Sequence, residues 1–221
     1  MTGESQGPPD ETWRGAIRDT ADPAELLESL PRFRGAVWSV RTDRARLPHG
    51  PVVERDLVDH PGAVGIVALD AADRVLLIRQ YRQPVGAFLL ELPAGLRDKH
   101  GEAPWVTARR ELEEETGYRA RDWAVLLDFF NSPGGSNEAF RCYLARELEE
   151  VPGGRVATGE AEEQHLPRAW IPLDDAVAHV LAGDLHNPTT VTGILAAAAA
   201  RDRGWRTLRP ADEPMWTLPA D

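Results

Sequence analysis

The apolar positions of this 221-residue chain fall into short runs of strand length broken by turn residues, with one stretch of helical spacing near the middle. Residues 62–70, 75–81 and 88–92 are apolar runs that predict strands. Residues 33–46 and 52–58 carry β-branched and alternating positions on either side of Leu47-Pro48-His49-Gly50-Pro51, which predicts a hairpin. Further strands are expected at 123–130 and 139–145, with a short one at 169–171. Asp22-Pro23 followed by Ala-Glu-Leu-Leu-Glu-Ser-Leu predicts a short helix with a cap and a first-turn proline. Residues 174–182 predict another helix, and Asn187-Pro188 caps a last one reaching about residue 200. Residues 147–163 are acidic, contain Pro152-Gly153-Gly154 and predict a mobile loop. Residues 1–12 predict disorder, and no element is expected in 201–221, where Trp205 and Trp216 stand among prolines and charges. Strands before and after a central helix, with helices at the end, predict an α/β (α+β) fold in which a mixed sheet lies between helices.

The central helix carries the chemistry. Within 95–118 the residues Arg110-Glu111-Leu112-Glu113-Glu114-Glu115-Thr116-Gly117 put Glu111 and Glu115 four apart and Glu111 and Glu114 three apart. So spaced on a helix, they share a face with Cβ atoms ~5–6 Å apart. Three like charges there repel unless a cation sits among them, and clustered hard oxygen ligands suit Mg²⁺ or Mn²⁺. The competing reading is an ordinary solvated acidic face. Against it stand an apolar face at Trp105, Ala108, Leu112 and Thr116, a first-turn Pro104, a terminal Gly117 and a preceding Gly95 that ends a short strand-like run.

Charge and composition narrow the partners. With 25 basic and 36 acidic residues the net charge is −11, which argues against nucleic acid or an anionic membrane as the main partner. A phosphate substrate stays open, because bound metal ions reverse the local field. An apolar fraction of 42% suffices for a sizeable core, and the length suits one domain with a small appendage. The single cysteine, Cys142, excludes an intramolecular disulfide and reads as a core strand residue. The start lacks an apolar signal core, and 194–200 is too short to span a bilayer, so a cytoplasmic protein is expected. The six histidines (49, 60, 100, 165, 179 and 186) show no ligand spacing, so zinc has no support. No nucleophile elbow, P-loop or Rossmann glycine pattern is present.

The stretch around the acidic helix resembles the Nudix hydrolase box: Glu102, seven residues, then Arg110-Glu111-Leu112-Glu113-Glu114-Glu115-Thr116-Gly117-Tyr118. It departs from that pattern at one place, where six residues rather than five separate Gly95 from Glu102, a loop insertion that leaves the helix register intact. Pro133, sixteen residues past Gly117 in Ser132-Pro133-Gly134-Gly135-Ser136-Asn137-Glu138, resembles the ADP-ribose pyrophosphatase branch, and is also ordinary turn chemistry. The resemblance implies an α/β/α sandwich whose N-terminal antiparallel segment packs across a homodimer and helps form each active site. The expected organisation is an N-terminal segment over 1–60, a Nudix hydrolase domain over 61–200 and a tail over 201–221.

Glu111 and Glu115 are the first candidate ligands, by geometry and by resemblance, with Glu114 next; the main-chain carbonyl of Ala94 resembles a further family ligand. Arg110 reads as an orienting partner able to pair with Glu102 or Glu114, and Glu113 points away into solvent. The resemblance places the general base in a later loop, at Glu163 with Glu162 second; a solvated loop charge is an equal reading of either. Arginine forks suit phosphate. Arg55 and Arg82 fit the branch's substrate-binding positions, whereas Arg79 reads as surface. Glu138 resembles a substrate contact, and Trp38 or Phe33 offers a ring for adenine. The implied reaction is Mg²⁺-dependent (or Mn²⁺-dependent) hydrolysis of ADP-ribose to AMP and ribose 5-phosphate. The alternatives are another nucleoside diphosphate derivative as substrate, or a catalytically silent ligand-binding regulator.

Overall fold

The central strand β4 (Ala63–Ala68) is buried at every position, because both faces of its sheet are covered. The computed structural model describes residues 14–48, 50–155 and 166–216. Val64, Ile66 and Ala68 face a cluster with Ala108 and Leu112, while Val67 and the following Leu69 face Ile194 and Ala197. Period-two alternation along one strand thus feeds two cores, one under each helical layer.

The described residues form three sheets. The first joins β1 (Glu25–Arg34), β2 (Ser39–Arg46) and β3 (Val52–Asp59) as an antiparallel meander. The second has β5 (Arg74–Arg82) between β6 (Ala87–Glu91) and β10 (Arg168–Pro172). The third runs β11 (Arg209–Pro210), β8 (Tyr118–Phe130), β9 (Ala139–Glu150), β4 and β7 (Ala94–Leu96), with β4 and β9 parallel and its other pairs antiparallel. Helix α1 (Pro104–Thr116) packs on one face of this sheet; α3 (Pro188–Asp202), with α2 (Leu173–Ala182) beside it, packs on the other. This is the expected α/β/α arrangement. The Asn187 cap also forms, its side chain accepting from Thr190 N–H at 3.0 Å.

The helix expected after Asp22-Pro23 does not form; that segment is β1, paired along its length with β2. Pro31 would interrupt a helix there, and the ladder to β2 outweighs the local preference of Ala, Glu and Leu. Phe33 accordingly lies in the last rungs of β1 rather than opening the hairpin, before a turn closed by Gly35 N–H to Trp38 O at 3.0 Å. Residues 147–150, expected in a loop, extend β9. Its outer rungs are held by polar cross-strand pairs rather than apolar alternation: Arg121 with Glu149, and Tyr118 Oη to Glu150 Oε1 at 2.9 Å. Residues 1–12, expected to be disordered, and residues 156–163 of the expected loop lie outside the described residues.

The tail acquires a place. β11 pairs with β8, and beyond it Arg141, 1% exposed, donates to the carbonyls of Glu213 (2.5 Å) and Pro214 (3.3 Å). Arg141 also grips Asp128 through Nε at 2.6 Å and Nη2 at 2.9 Å, and Arg209 shares the same carboxylate at 2.9 Å. Burial works to raise the Asp128 pKa, but the two guanidinium groups outweigh it and hold the carboxyl below its usual range.

Candidate active site

Helix α1 is bounded by Pro104 in its first turn and by Gly117, whose φ of 68° is the left-handed conformation that ends a helix cheaply. Ala108, Leu112 and Thr116 are buried and Trp105 is half-buried, as the periodicity requires. That packing aims Glu111 and Glu115 at β7. Glu115 Oε2 accepts the Ala94 N–H at 2.9 Å, and the Glu111 carboxylate lies across Gly95, where a Cβ would come within 2.1 Å of its Cδ. The two glutamates are 7% and 5% exposed, so a pair of carboxylates is buried beside the backbone of Ala94 and Gly95.

Arg110 organises the neighbouring acids. Its Nη1 stands 2.6 Å from Glu111 Oε1 and 2.8 Å from Glu114 Oε2, and its Nη2 is 3.4 Å from Glu102 Oε2. Thr107 Oγ1 donates to the same Glu102 oxygen at 2.7 Å. Burial opposes the Arg110 charge, but Glu111 and Glu114 more than offset it and raise its pKa further. For Glu102, burial raises the pKa, while Thr107 and Arg110 hold the carboxyl below its usual range. Arg110 therefore pairs with both Glu102 and Glu114, as its spacing implies. Glu113 points elsewhere, accepting from Arg119 Nε at 2.7 Å.

Among the described residues no three His, Cys, Asp or Glu side chains gather as a metal-holding group. The donors do fit a hard divalent cation in kind. Two buried carboxylates sit against a bare glycine backbone that leaves them room, and clustered carboxylate oxygens are the hard donors such an ion takes.

The residues expected on the substrate side form separate groups. Arg82 presents Nε (2.9 Å) and Nη2 (2.6 Å) to Glu91, which is 2% exposed. Glu138 Oε2 accepts from Asn131 Nδ2 at 3.1 Å beside the turn holding Pro133, which closes through Gly135 N–H to Ser132 O at 3.1 Å. Arg55 is exposed on β3 and donates to the Glu54 carbonyl at 2.8 Å. Trp38 is exposed near Phe33, their ring centroids 6.1 Å apart. Among the described residues neither Arg55 nor Trp38 hydrogen-bonds to the acidic cluster of α1. Arg79 is exposed and lies over the Phe88 ring at 3.9 Å. Glu162 and Glu163 lie outside the described residues. The Cys142 thiol is fully buried, and burial pushes its pKa up to about 12, so it is inert.

Two neighbours of the expected site residues were not anticipated from the sequence: Glu91, which holds Arg82, and His60, whose Nε2 stands 3.9 Å from Glu138 Oε1. Glu91 had a signal in Leu89-Leu90-Glu91-Leu92, since a lone acid in an apolar run implies a buried partner. His60 had none, because its contacts are made by folding.

A model of the NUDIX domain matches residues 59–190. An "ADP-ribose pyrophosphatase" of Mycobacterium tuberculosis (strain ATCC 25618 / H37Rv) is 42% identical over 188 residues, covering 85% of this chain and 89% of that protein. A "Methanol dehydrogenase activator" of Bacillus methanolicus is 35% identical over 162 residues, 73% of this chain and 85% of that one. A solved structure described as an ADP compounds hydrolase superposes with a TM-score of 0.69 at 21% identity, over 85% of this chain and 99% of the other, a likeness of fold.

Proposed function

This chain belongs to the NUDIX hydrolase family, and from that premise we propose that it hydrolyses the pyrophosphate bond of ADP-ribose to AMP and ribose 5-phosphate, in the cytoplasm and with Mg²⁺ or Mn²⁺. The observation that carries the reading is the seating of Glu111 across Gly95 with Glu115 on the Ala94 N–H. Carboxylates buried together beside a strand backbone are what cleavage of a charged anhydride needs for its metal ion. The substrate is supported by the 42% identity to a protein of that name.

Glu111, Glu115, the Ala94 carbonyl and Glu114 would hold the cation. When bound, it supplies neutralisation of phosphoryl charge and a water of lowered pKa. The chain's own residues do the rest. Arg110 fixes the carboxylates of Glu111 and Glu114 at 2.6 and 2.8 Å, so their oxygens do not search on binding. Glu163, or Glu162 beside it, takes the proton of the attacking water. Arg82, its fork oriented by Glu91, meets a diphosphate oxygen. Glu138 meets the substrate beyond the Pro133 turn.

Arg55 and Trp38 reach a site through a second copy of the chain. All ten residues of β1 are exposed, among them the apolar Leu26, Leu27, Leu30 and Phe33, and the last pair shares a face suited to burial in a homodimer. Incubating the protein with ADP-ribose and Mg²⁺ should yield AMP. Turnover of another nucleotide with no AMP from ADP-ribose would sink the substrate assignment.

A further inference from the structure

The end of β3 is stitched to the turn that carries Glu138. Val58 N–H donates to the Gly135 carbonyl at 2.8 Å, and Asn137 N–H donates to the Val58 carbonyl at 3.2 Å. His60 N–H donates to Asn137 Oδ1 at 2.8 Å. These bonds seat the imidazole beside Glu138, with side-chain exposures of 13% and 20%.

The ring is oriented from its other side. Nδ1 of His60 accepts the Gly62 N–H at 3.1 Å. A ring nitrogen that accepts carries no proton, so the neutral ring bears its proton on Nε2. Nε2 stands 3.9 Å from Glu138 Oε1, while Glu138 Oε2 is held by Asn131 Nδ2 at 3.1 Å. From 3.9 Å, a movement of about 1 Å brings Nε2–H into hydrogen-bonding range of Oε1.

We infer that His60 is a positioning residue for Glu138: with its tautomer set by the Gly62 N–H, it confines the carboxylate between Nε2–H and Asn131 before substrate arrives. The inference rests on the reading of Glu138 as a substrate contact. Confining a side chain in advance removes an ordering cost from binding, so the effect falls on KM rather than kcat. It also ties the substrate turn to the N-terminal sheet through one short segment, residues 58–60.

Two substitutions separate this role from a merely structural one. His60→Asn keeps an acceptor at the Nδ1 position for Gly62 N–H but cannot reach Glu138; His60→Gln reaches toward Glu138 but gives up the Gly62 bond. His60→Asn should raise KM for ADP-ribose by roughly 3- to 10-fold, with kcat nearly constant and an unchanged melting temperature. His60→Gln should return KM toward the wild-type value. In a Glu138→Gln background, His60→Asn should add almost nothing. Unchanged KM in His60→Asn, or effects that simply add with Glu138→Gln, would overturn the inference. So would a side-chain ¹⁵N spectrum showing the proton on Nδ1, a readout that needs no substrate. If the wild type makes no AMP from ADP-ribose, the substrate reading fails instead. The same comparison is then run on whichever nucleoside diphosphate derivative it cleaves, and the ¹⁵N spectrum decides on its own if it cleaves none.

Discussion

Glu111 occupies the space that a side chain on Gly95 would fill: a Cβ there would stand 2.1 Å from Glu111 Cδ and 2.3 Å from its Oε1. The glycine of β7 and the glutamate of α1 are thus one unit, sixteen residues apart in the chain. Gly95→Ala should push the carboxylate off the strand without unfolding the sheet. Displacing a catalytic group by about 1 Å costs on the order of 100-fold in rate. Turnover measured against Mg²⁺ concentration should fall by that order and need more metal for half-maximal rate; wild-type metal dependence in the Gly95→Ala variant would separate Glu111 from the metal.

Glu115→Gln tests the second carboxylate. The amide keeps the shape and an acceptor for the Ala94 N–H but loses the charge. Turnover should drop by at least about 100-fold while the melting temperature holds, since ligand charge rather than packing is removed. Activity that survives with unchanged metal dependence would show Glu115 to be structural.

The parts legible in sequence were those whose cause is local. The spacing of Ala108, Leu112 and Thr116 set the buried face of α1, and that in turn set the direction of Glu111 and Glu115. The spacing of Arg110 to Glu114 sufficed for a pair that forms at 2.8 Å. What failed was decided at a distance. Leu26 and its neighbours are good helix formers, yet they pair with β2 across the turn at 35–38. The outer rungs of β8 and β9 carry charge pairs that look like loop chemistry in one dimension. The tail was unplaceable because its anchor, Arg141, reads as an ordinary strand arginine until Asp128, Glu213 and Pro214 close around it.

That anchor predicts an acid-sensitive fold. Asp128 has a folded-state pKa below its unfolded value, so its contribution is present above the unfolded pKa, near 4, and is lost as pH falls through the lower folded value. Thermal melts should therefore show stability declining below about pH 4. Asp128→Asn leaves Arg141, 1% exposed, without its carboxylate and should cost about 3–5 kcal/mol at pH 7, with a flatter acid limb. Wild-type stability in the Asp128→Asn variant would mean that the surrounding carbonyls alone satisfy Arg141.

Arg82 tests the substrate side. Its fork meets Glu91 through two nitrogens, a geometry that lysine cannot copy. Arg82→Lys should leave the buried Glu91 with a single point contact, costing about 1–3 kcal/mol of stability. It should also raise KM for ADP-ribose by roughly tenfold through loss of planar phosphate recognition. A stability loss with unchanged KM would make Arg82 a partner of Glu91 and nothing more.

The exposed β1 strand carries the last prediction. Leu27, Leu30, Leu26 and Phe33 are 38–57% exposed within one chain, an apolar surface that a lone subunit would leave in water. Arg55 lies on β3 of the same sheet and Trp38 in the turn between β1 and β2, and among the described residues neither makes a hydrogen bond to the acidic cluster of α1. If a second subunit covers β1, these two side chains can reach the partner's site. Leu30→Asp with Phe33→Asp should then convert a dimer to monomers by light scattering. It should also raise KM for ADP-ribose while leaving metal dependence alone, because Glu111 and Glu115 stay within their own chain. A wild type that is monomeric at assay concentration and still has a KM unaffected by the double substitution would confine the whole site to one subunit.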